Sequence, residues 1–338
     1  MPTSWRWRTK RAVATLGRRV GALPGRPTVL MYHRVAEETF DPWDLAVAPR
    51  RFEEQLRWLV RRRAVLPLEE LARRLQRGEL PPRAVAITFD DGYACNATVA
   101  APLLVSLRAP ATVFLASASV DAGEEYWWDD LQRIVFEAPG PALHCEIGGR
   151  PVSVDLGAAV AASSPGRSGR SGRAGASTRA REFMVLWNEL RTSGEAERSA
   201  VIAHLRAQSG TARTPRPTHR PMSPGEARAL SETELVQIGA HTASHLALSE
   251  WPEDVQRAEI EVGRDRCTAI TGRVPRTFAY PYGDLSSHTV EIVRDAGFEA
   301  AVTTRSAAIT ADCDPLQLPR LQVGNWSAGQ LAMALSKL

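Results

Sequence analysis

With 338 residues, 44% of them hydrophobic and 24% charged, the chain has the make-up of an ordinary globular protein able to bury a sizeable core. Its formal net charge of +4 gives no case for nucleic acid as a partner. No run reaches the length of a transmembrane helix. The four cysteines, Cys95, Cys145, Cys267 and Cys313, have no paired short spacing. They read as free thiols of a reducing compartment, which makes the cytoplasm the expected location.

Residues 1–25 form a basic N-terminal segment in which Arg6, Arg8, Lys10, Arg11, Arg18 and Arg19 crowd around Trp5 and Trp7. No continuous apolar stretch follows, so it does not read as a secretory signal. It reads as a solvated tail, and its composition also suits peripheral contact with anionic lipid headgroups. From residue 26 onward, short apolar runs alternate with helical patterns. Thr28–Tyr32, Ala84–Phe89 and Ala111–Leu115 read as strands. Phe52, Leu56 and Leu59 recur at helical spacing, and Leu68–Leu75 and Thr98–Leu107 read as further helices. The alternation resumes with strands at Leu235–Ala240, Arg276–Tyr280, Ala300–Thr303 and Leu318–Val323, and helices at Val255–Ile270, Thr289–Ala296 and Gly329–Leu335. Such alternation predicts a parallel sheet, doubly wound or closed as a barrel. Between the halves, about 120–229, lies an expected insertion. It holds a hairpin turning at Gly148-Gly149, helices at Asp130–Phe136 and Glu182–Leu190, and a Gly/Ser/Arg-rich stretch, 163–180, expected to be a flexible loop.

Candidate chemistry gathers at the C-terminal ends of predicted strands, where α/β folds place their sites. Asp90 and Asp91 directly follow the strand Ala84–Phe89, and neighbouring carboxylates on extended backbone point in different directions. One can bind a metal while the other faces the water on it. His241 and His245 follow another strand; four residues apart, they are expected on one side of a helical turn and can converge on one ion. One aspartate and two imidazoles leave coordination positions open, as catalytic sites do. A third strand end reads Phe278-Ala279-Tyr280-Pro281-Tyr282-Gly283. Tyr126-Trp127-Trp128 could offer rings to a sugar face, or simply pack.

The segments Thr88–Gly92 (TFDDG), His241–His245 (HTASH) and Phe278–Gly283 (FAYPYG) resemble three motifs of the polysaccharide deacetylase family, the NodB-homology domain of carbohydrate esterase family four. The similarity covers about residues 26–120 and 230–338. It implies an irregular (β/α) barrel over 26–338 with a mid-chain insertion, and a divalent metal, usually zinc, at the mouth. It also implies Asp91, His241 and His245 as ligands and Asp90 as general base. The backbone N–H of Tyr282 would help hold the oxyanion, Thr242 would support the histidine loop, and Pro281 and Tyr282 would contact substrate; Trp128, of the aromatic run above, is the candidate stacking ring. The implied reaction removes an acetyl group, N-acetyl first, from a sugar, glycan or glycolipid. Two departures stand out. Where the family has an arginine before the third-motif Pro-Tyr, this chain has Ala279 and Tyr280, and Arg320 is the candidate to pair with Asp90 instead. No C-terminal Leu-x-His supplies a general acid, because no histidine follows His288. His33, at the end of the first strand, is the substitute, as in the branch with an N-terminal catalytic histidine. Two other readings stay open: hydrolysis of a non-sugar amide on the same metal site, or a catalytically weak glycan-binding relative.

Overall fold

In the computed structural model, which describes residues 25–38, 41–157 and 170–338, the short apolar runs become the staves of a barrel. They are β1 (Thr28–Tyr32), β2 (Ala84–Phe89), β3 (Ala111–Leu115), β4 (Val236–Ala240), β5 (Thr277–Ala279), β6 (Ala300–Val302) and β7 (Arg320–Gln322). From β1 to β6 each strand pairs in parallel with the next. β7 returns to β1 with Arg320 opposite Val29, and a parallel bridge between Val302 and Leu318 joins β6 to the approach of β7. Seven parallel strands therefore make a nearly closed (β/α) barrel. Of the two arrangements the alternation allowed, the closed one is formed.

Side chains alternate along each strand. One set, including Val29, Ala86, Phe114, Ala279 and Val302, packs as a cluster with Leu68 and Leu71 of the Leu68–Arg77 helix. The other, including Leu30, Ile87, Val113 and Phe278, joins the larger cluster with the surrounding helices. The first set is mostly small because a seven-strand barrel leaves a narrow interior. Phe114 fits there beside Gly239, where an added Cβ would stand 2.4 Å from the Phe114 ring.

The mid-chain segment has its own core. The strands Ala142–Ile147 and Arg150–Asp155 form the expected hairpin. Its turn residues, Gly148 (φ +58°) and Gly149 (φ +70°), adopt the left-handed conformation that a tight two-residue turn requires. Leu143 and Val154 pack with Leu131 and Ile134 of the Trp127–Glu137 helix, Phe183 and Leu186, and Leu205 of the Glu195–Ser209 helix. One expectation is corrected. The Gly/Ser/Arg-rich stretch was expected to be loop through residue 180, but a helix runs from Arg170 to Arg191. Arg179 is fully buried on it, donating from Nη1 to the Val135 carbonyl at 2.5 Å. Glycine and serine content outweighed the helix-forming arginines and alanines in the sequence reading; packing against the second core decides otherwise. The rest of that stretch and the basic segment 1–24 lie outside the described residues. No helix among the described residues is long and apolar enough to cross a membrane, and all four cysteines are free.

Candidate active site

The strand ends bring the predicted residues together. At the end of β2, the Asp90 N–H donates to the Tyr32 carbonyl of β1, which sets His33 and Asp90 side by side. His33 Nε2 lies 3.9 Å from Asp90 Oδ2. Asp91 follows at φ +69°, a left-handed conformation unusual outside glycine, and Gly92 at φ +76° completes the turn. Thr242 (φ +62°), His245 (φ +60°) and Tyr282 (φ +59°) share that conformation. Such strain persists where the surrounding structure over-determines it, which is typical of functional sites. The histidine pair is not on a helical turn, contrary to expectation. The two left-handed residues fold the chain into an irregular loop instead, and the two rings meet edge to face with centroids 4.7 Å apart.

That loop is held from several sides. The Thr242 hydroxyl accepts the His245 N–H at 2.9 Å, the support role expected of it. Glu259, on the Glu253–Thr271 helix, accepts the Ser244 N–H and hydroxyl, each at 2.8 Å, and its carbonyl accepts the Ala243 N–H. Gly263 on the same helix lies against the Thr242 backbone, where an added Cβ would stand 2.6 Å from the Thr242 carbonyl carbon. Gly263→Ala is therefore expected to push helix and loop apart, lowering stability by about 1–3 kcal/mol. A melting temperature equal to the parent's would show that this contact does not brace the histidine loop.

Asp91, His241 and His245 each offer a ligand atom, all within 4.8 Å of one another, and all three residues are buried. His241 Nδ1 lies 2.7 Å from the Ala279 carbonyl. Donation there leaves Nε2 as a bare acceptor facing Asp91 Oδ1 at 3.5 Å. His245 Nε2 stands 3.3 Å from the same oxygen, which is buried and makes no hydrogen bond of normal geometry. Lone pairs converging in a buried space without a shared proton fit a cation. Burial alone would raise the Asp91 carboxyl; with protons on the imidazole nitrogens that face it, His241 and His245 hold it well below its ordinary range, and a cation in place of those protons would act in the same direction. Burial lowers His245, favouring the neutral imidazole that a metal requires.

Asp90 belongs to a separate pair. Arg320 rises inside the barrel from β7, fully buried, and grips both Asp90 oxygens at 2.6 and 2.7 Å, with Nε on the Thr303 carbonyl at 2.8 Å. This is the arginine partner that the third motif lacks. Burial pushes the Asp90 carboxyl up, and the Arg320 charge and hydrogen bonds overcome it, so the group stays ionised.

Tyr282 projects over His245, ring centroids 4.6 Å apart, and its neighbour Pro281 is buried. Trp128 takes a different place from the one expected. It is 6% exposed, stacked on Tyr126 at 4.6 Å and set against the His245 ring at 4.7 Å. It therefore backs a candidate ligand and offers no open face to a sugar. Trp127, half-buried, lies nearer the surface. Glu259 and Gly263 carry no mark in the sequence, and Tyr126, expected as a stacking or packing ring, instead donates its hydroxyl to the Asp91 carbonyl. The only signal for Glu259 and Gly263 is spatial: nothing in their local patterns distinguishes them from ordinary helix residues.

The sequence profile described as polysaccharide deacetylase matches residues 77–138 and 199–301, which include Asp90, Asp91, His241, His245 and Tyr282. In these two stretches the chain is similar to the polysaccharide deacetylase family. The profile passes over 139–198, which hold the hairpin and the Arg170–Arg191 helix. Among curated proteins, YxkH of Bacillus subtilis, whose name assigns it provisionally to polysaccharide deacetylases, is 30% identical over 99 residues. That match covers 29% of this chain and 34% of YxkH, about a third of the relative's length. Two solved structures share the fold across nearly the whole domain. The Streptococcus pyogenes deacetylase PplD, solved with acetate, has a TM-score of 0.57 at 18% identity, covering 93% of this chain and 99% of its own. IcaB from Ammonifex degensii has a TM-score of 0.56 at 20% identity, with 92% and 97% covered.

Proposed function

We propose that the protein is a metal-dependent carbohydrate deacetylase, hydrolysing acetyl groups, N-acetyl first, on a sugar, glycan or glycolipid. The observation that carries this reading is the buried convergence of Asp91, His241 and His245 beside an Asp90 carboxylate kept ionised by Arg320. A divalent ion, zinc by the nature of the N/O donor set, would be held by those three residues, and would supply a Lewis acid that acidifies an attacking water and polarises the acyl carbonyl.

Around that centre the chain's own groups divide the work. Asp90 accepts the proton of the attacking water, and Arg320 fixes the carboxylate's plane for it. The Tyr282 N–H, presented by its left-handed backbone, donates to the oxygen that gains charge as the acetyl carbon becomes tetrahedral. Losing such a donor typically costs about 2.7–4 kcal/mol. His33, on the Asp90 side of the mouth, gives a proton to the departing amine nitrogen. The ligand set predicts about one divalent ion per chain in the purified protein. His241→Ala and His245→Ala should each lose the ion and acetate release together, read by elemental analysis and an acetate assay on acetylated saccharides. Full metal content in either variant would remove that histidine from the ligand set. Stoichiometric metal with no acetate release from any acetylated sugar would instead favour a non-sugar amide.

A further inference from the structure

Arg198, on the Glu195–Ser209 helix, is 3% exposed, yet no carboxylate among the described residues forms a direct ion pair with it. Nη1 makes no hydrogen bond, and Nη2 makes a long one, 3.4 Å, to the Ser244 carbonyl beside His245. Its guanidinium carbon lies 5.3 Å from the Trp127 ring centroid. Burial draws the Arg198 pKa down, opposed by Tyr282, Glu195 and Glu259 nearby. A second cation stands close by. The Arg191 guanidinium carbon is 5.7 Å from the Tyr282 ring and 5.9 Å from the Trp187 ring. Two arginines thus flank the tyrosine that overhangs the candidate metal site, and both come from the mid-chain helices. A buried cation with no carboxylate in direct ion-pair contact is costly to keep. Its cost is recovered when an anion docks, because an under-hydrated guanidinium fork pairs two oxygens at once.

We propose that Arg198 and Arg191, with Trp127 and Trp187, form a subsite for an anionic substituent, a carboxylate or a phosphate, on the saccharide whose acetyl group enters the neighbouring site. The guanidinium groups take the substituent's charge, and the indole rings, stacked on one another with centroids 6.3 Å apart, hold those cations in place. This deepens the deacetylase reading and rests on it for the position of the acetyl group, but anion binding itself requires no turnover.

The two can therefore be tested apart. Tryptophan fluorescence of the metal-loaded full chain is titrated with inorganic phosphate and, separately, with glucuronate. A saturable change with at least one, in the millimolar range expected of a single small anion, supports the subsite, and whichever anion produces it names the source. Arg198→Gln and Arg191→Gln should each weaken that binding about tenfold or more, the worth of one charge-assisted hydrogen bond. Arg191 is half-buried, so its variant decides the matter if the Arg198 variant fails to fold. No saturable change with either anion, or variants that titrate like the parent, would overturn the proposal. In the activity arm, kcat/KM for N-acetylglucosamine 1-phosphate and for N-acetylmuramic acid is compared with that for N-acetylglucosamine. The anionic substrate matching the titration should lead about tenfold, and the lead should vanish in both variants. Acetate release from the neutral sugar without anion binding would sink the subsite alone. Anion binding without acetate release from any of the three would sink the deacetylase reading and leave the subsite standing.

Discussion

Asp90→Asn is expected to cut turnover by about 10²–10⁴-fold while the protein keeps its metal. The expectation rests on the division between two adjacent carboxylates. Asp91 presents Oδ1 to both histidine Nε2 atoms, whereas Asp90 lies outside that cluster with both oxygens on Arg320. Asparagine preserves the shape and removes the basic oxygen, so it strikes proton transfer and spares metal binding. Asp91→Asn should do the reverse in order, losing metal first. The pH dependence follows from the direction of the Asp90 shift. Because Arg320 holds the carboxyl below its ordinary value, the base is already ionised at the usual carboxylate pKa of about 3.9, and the acidic limb of kcat/KM lies below it. Arg320→Met removes the group that opposes burial, so that limb should move to higher pH. Metal loss from Asp90→Asn equal to that from Asp91→Asn would show that the two aspartates have been interchanged.

The barrel and the grouping of Asp91, His241 and His245 are legible in the sequence for one reason: both are written locally. Strands such as Thr28–Tyr32 and Ala84–Phe89 are short apolar runs, and each candidate ligand sits within five residues of a strand's end. What went unread depends on contacts between distant segments. The histidine spacing fits a helical turn equally well, and it takes the Glu253–Thr271 helix, through Glu259 and Gly263, to fold it as an irregular loop. Trp128 looked like a stacking ring because the sequence does not reveal that Tyr126 and His245 already cover it. The Arg170–Arg191 helix hid behind glycine and serine, since the core that stabilises it is assembled from a hairpin and two other helices. Arg320 is the intermediate case. Its role could be inferred from the missing third-motif arginine, but the route inside the barrel to Asp90 is visible only with β7 in register against β1.

His33→Ala is expected to retain metal, to lose about 10²–10⁴-fold in amide hydrolysis, and to lose much less on an activated acetyl ester. A departing amine must be protonated as the C–N bond breaks, whereas the alkoxide or phenoxide of an ester leaves readily without help. The donor must stand close to the attacking base without competing for the metal. Among the described histidines, His33 meets both conditions, with Nε2 3.9 Å from Asp90 Oδ2 and a ring 13% exposed at the mouth. His219 is engaged elsewhere, 3.1 Å from Glu38, and His288 is paired with Glu291 on the surface. Since the donor acts in its protonated form, the parent's rate should fall on the alkaline side, and that limb should be missing from the variant. The His33–Asp90 contact gives a further signature: a protonated imidazole beside an ionised carboxylate helps hold the carboxylate ionised, as the direction of the Asp90 shift already reflects. Removing it should therefore move the acidic limb slightly upward, in the same direction as Arg320→Met but by less. Equal losses on amide and ester would make His33 a positioning residue for Asp90, and no loss on either would pass the proton-donor role to another group at the mouth.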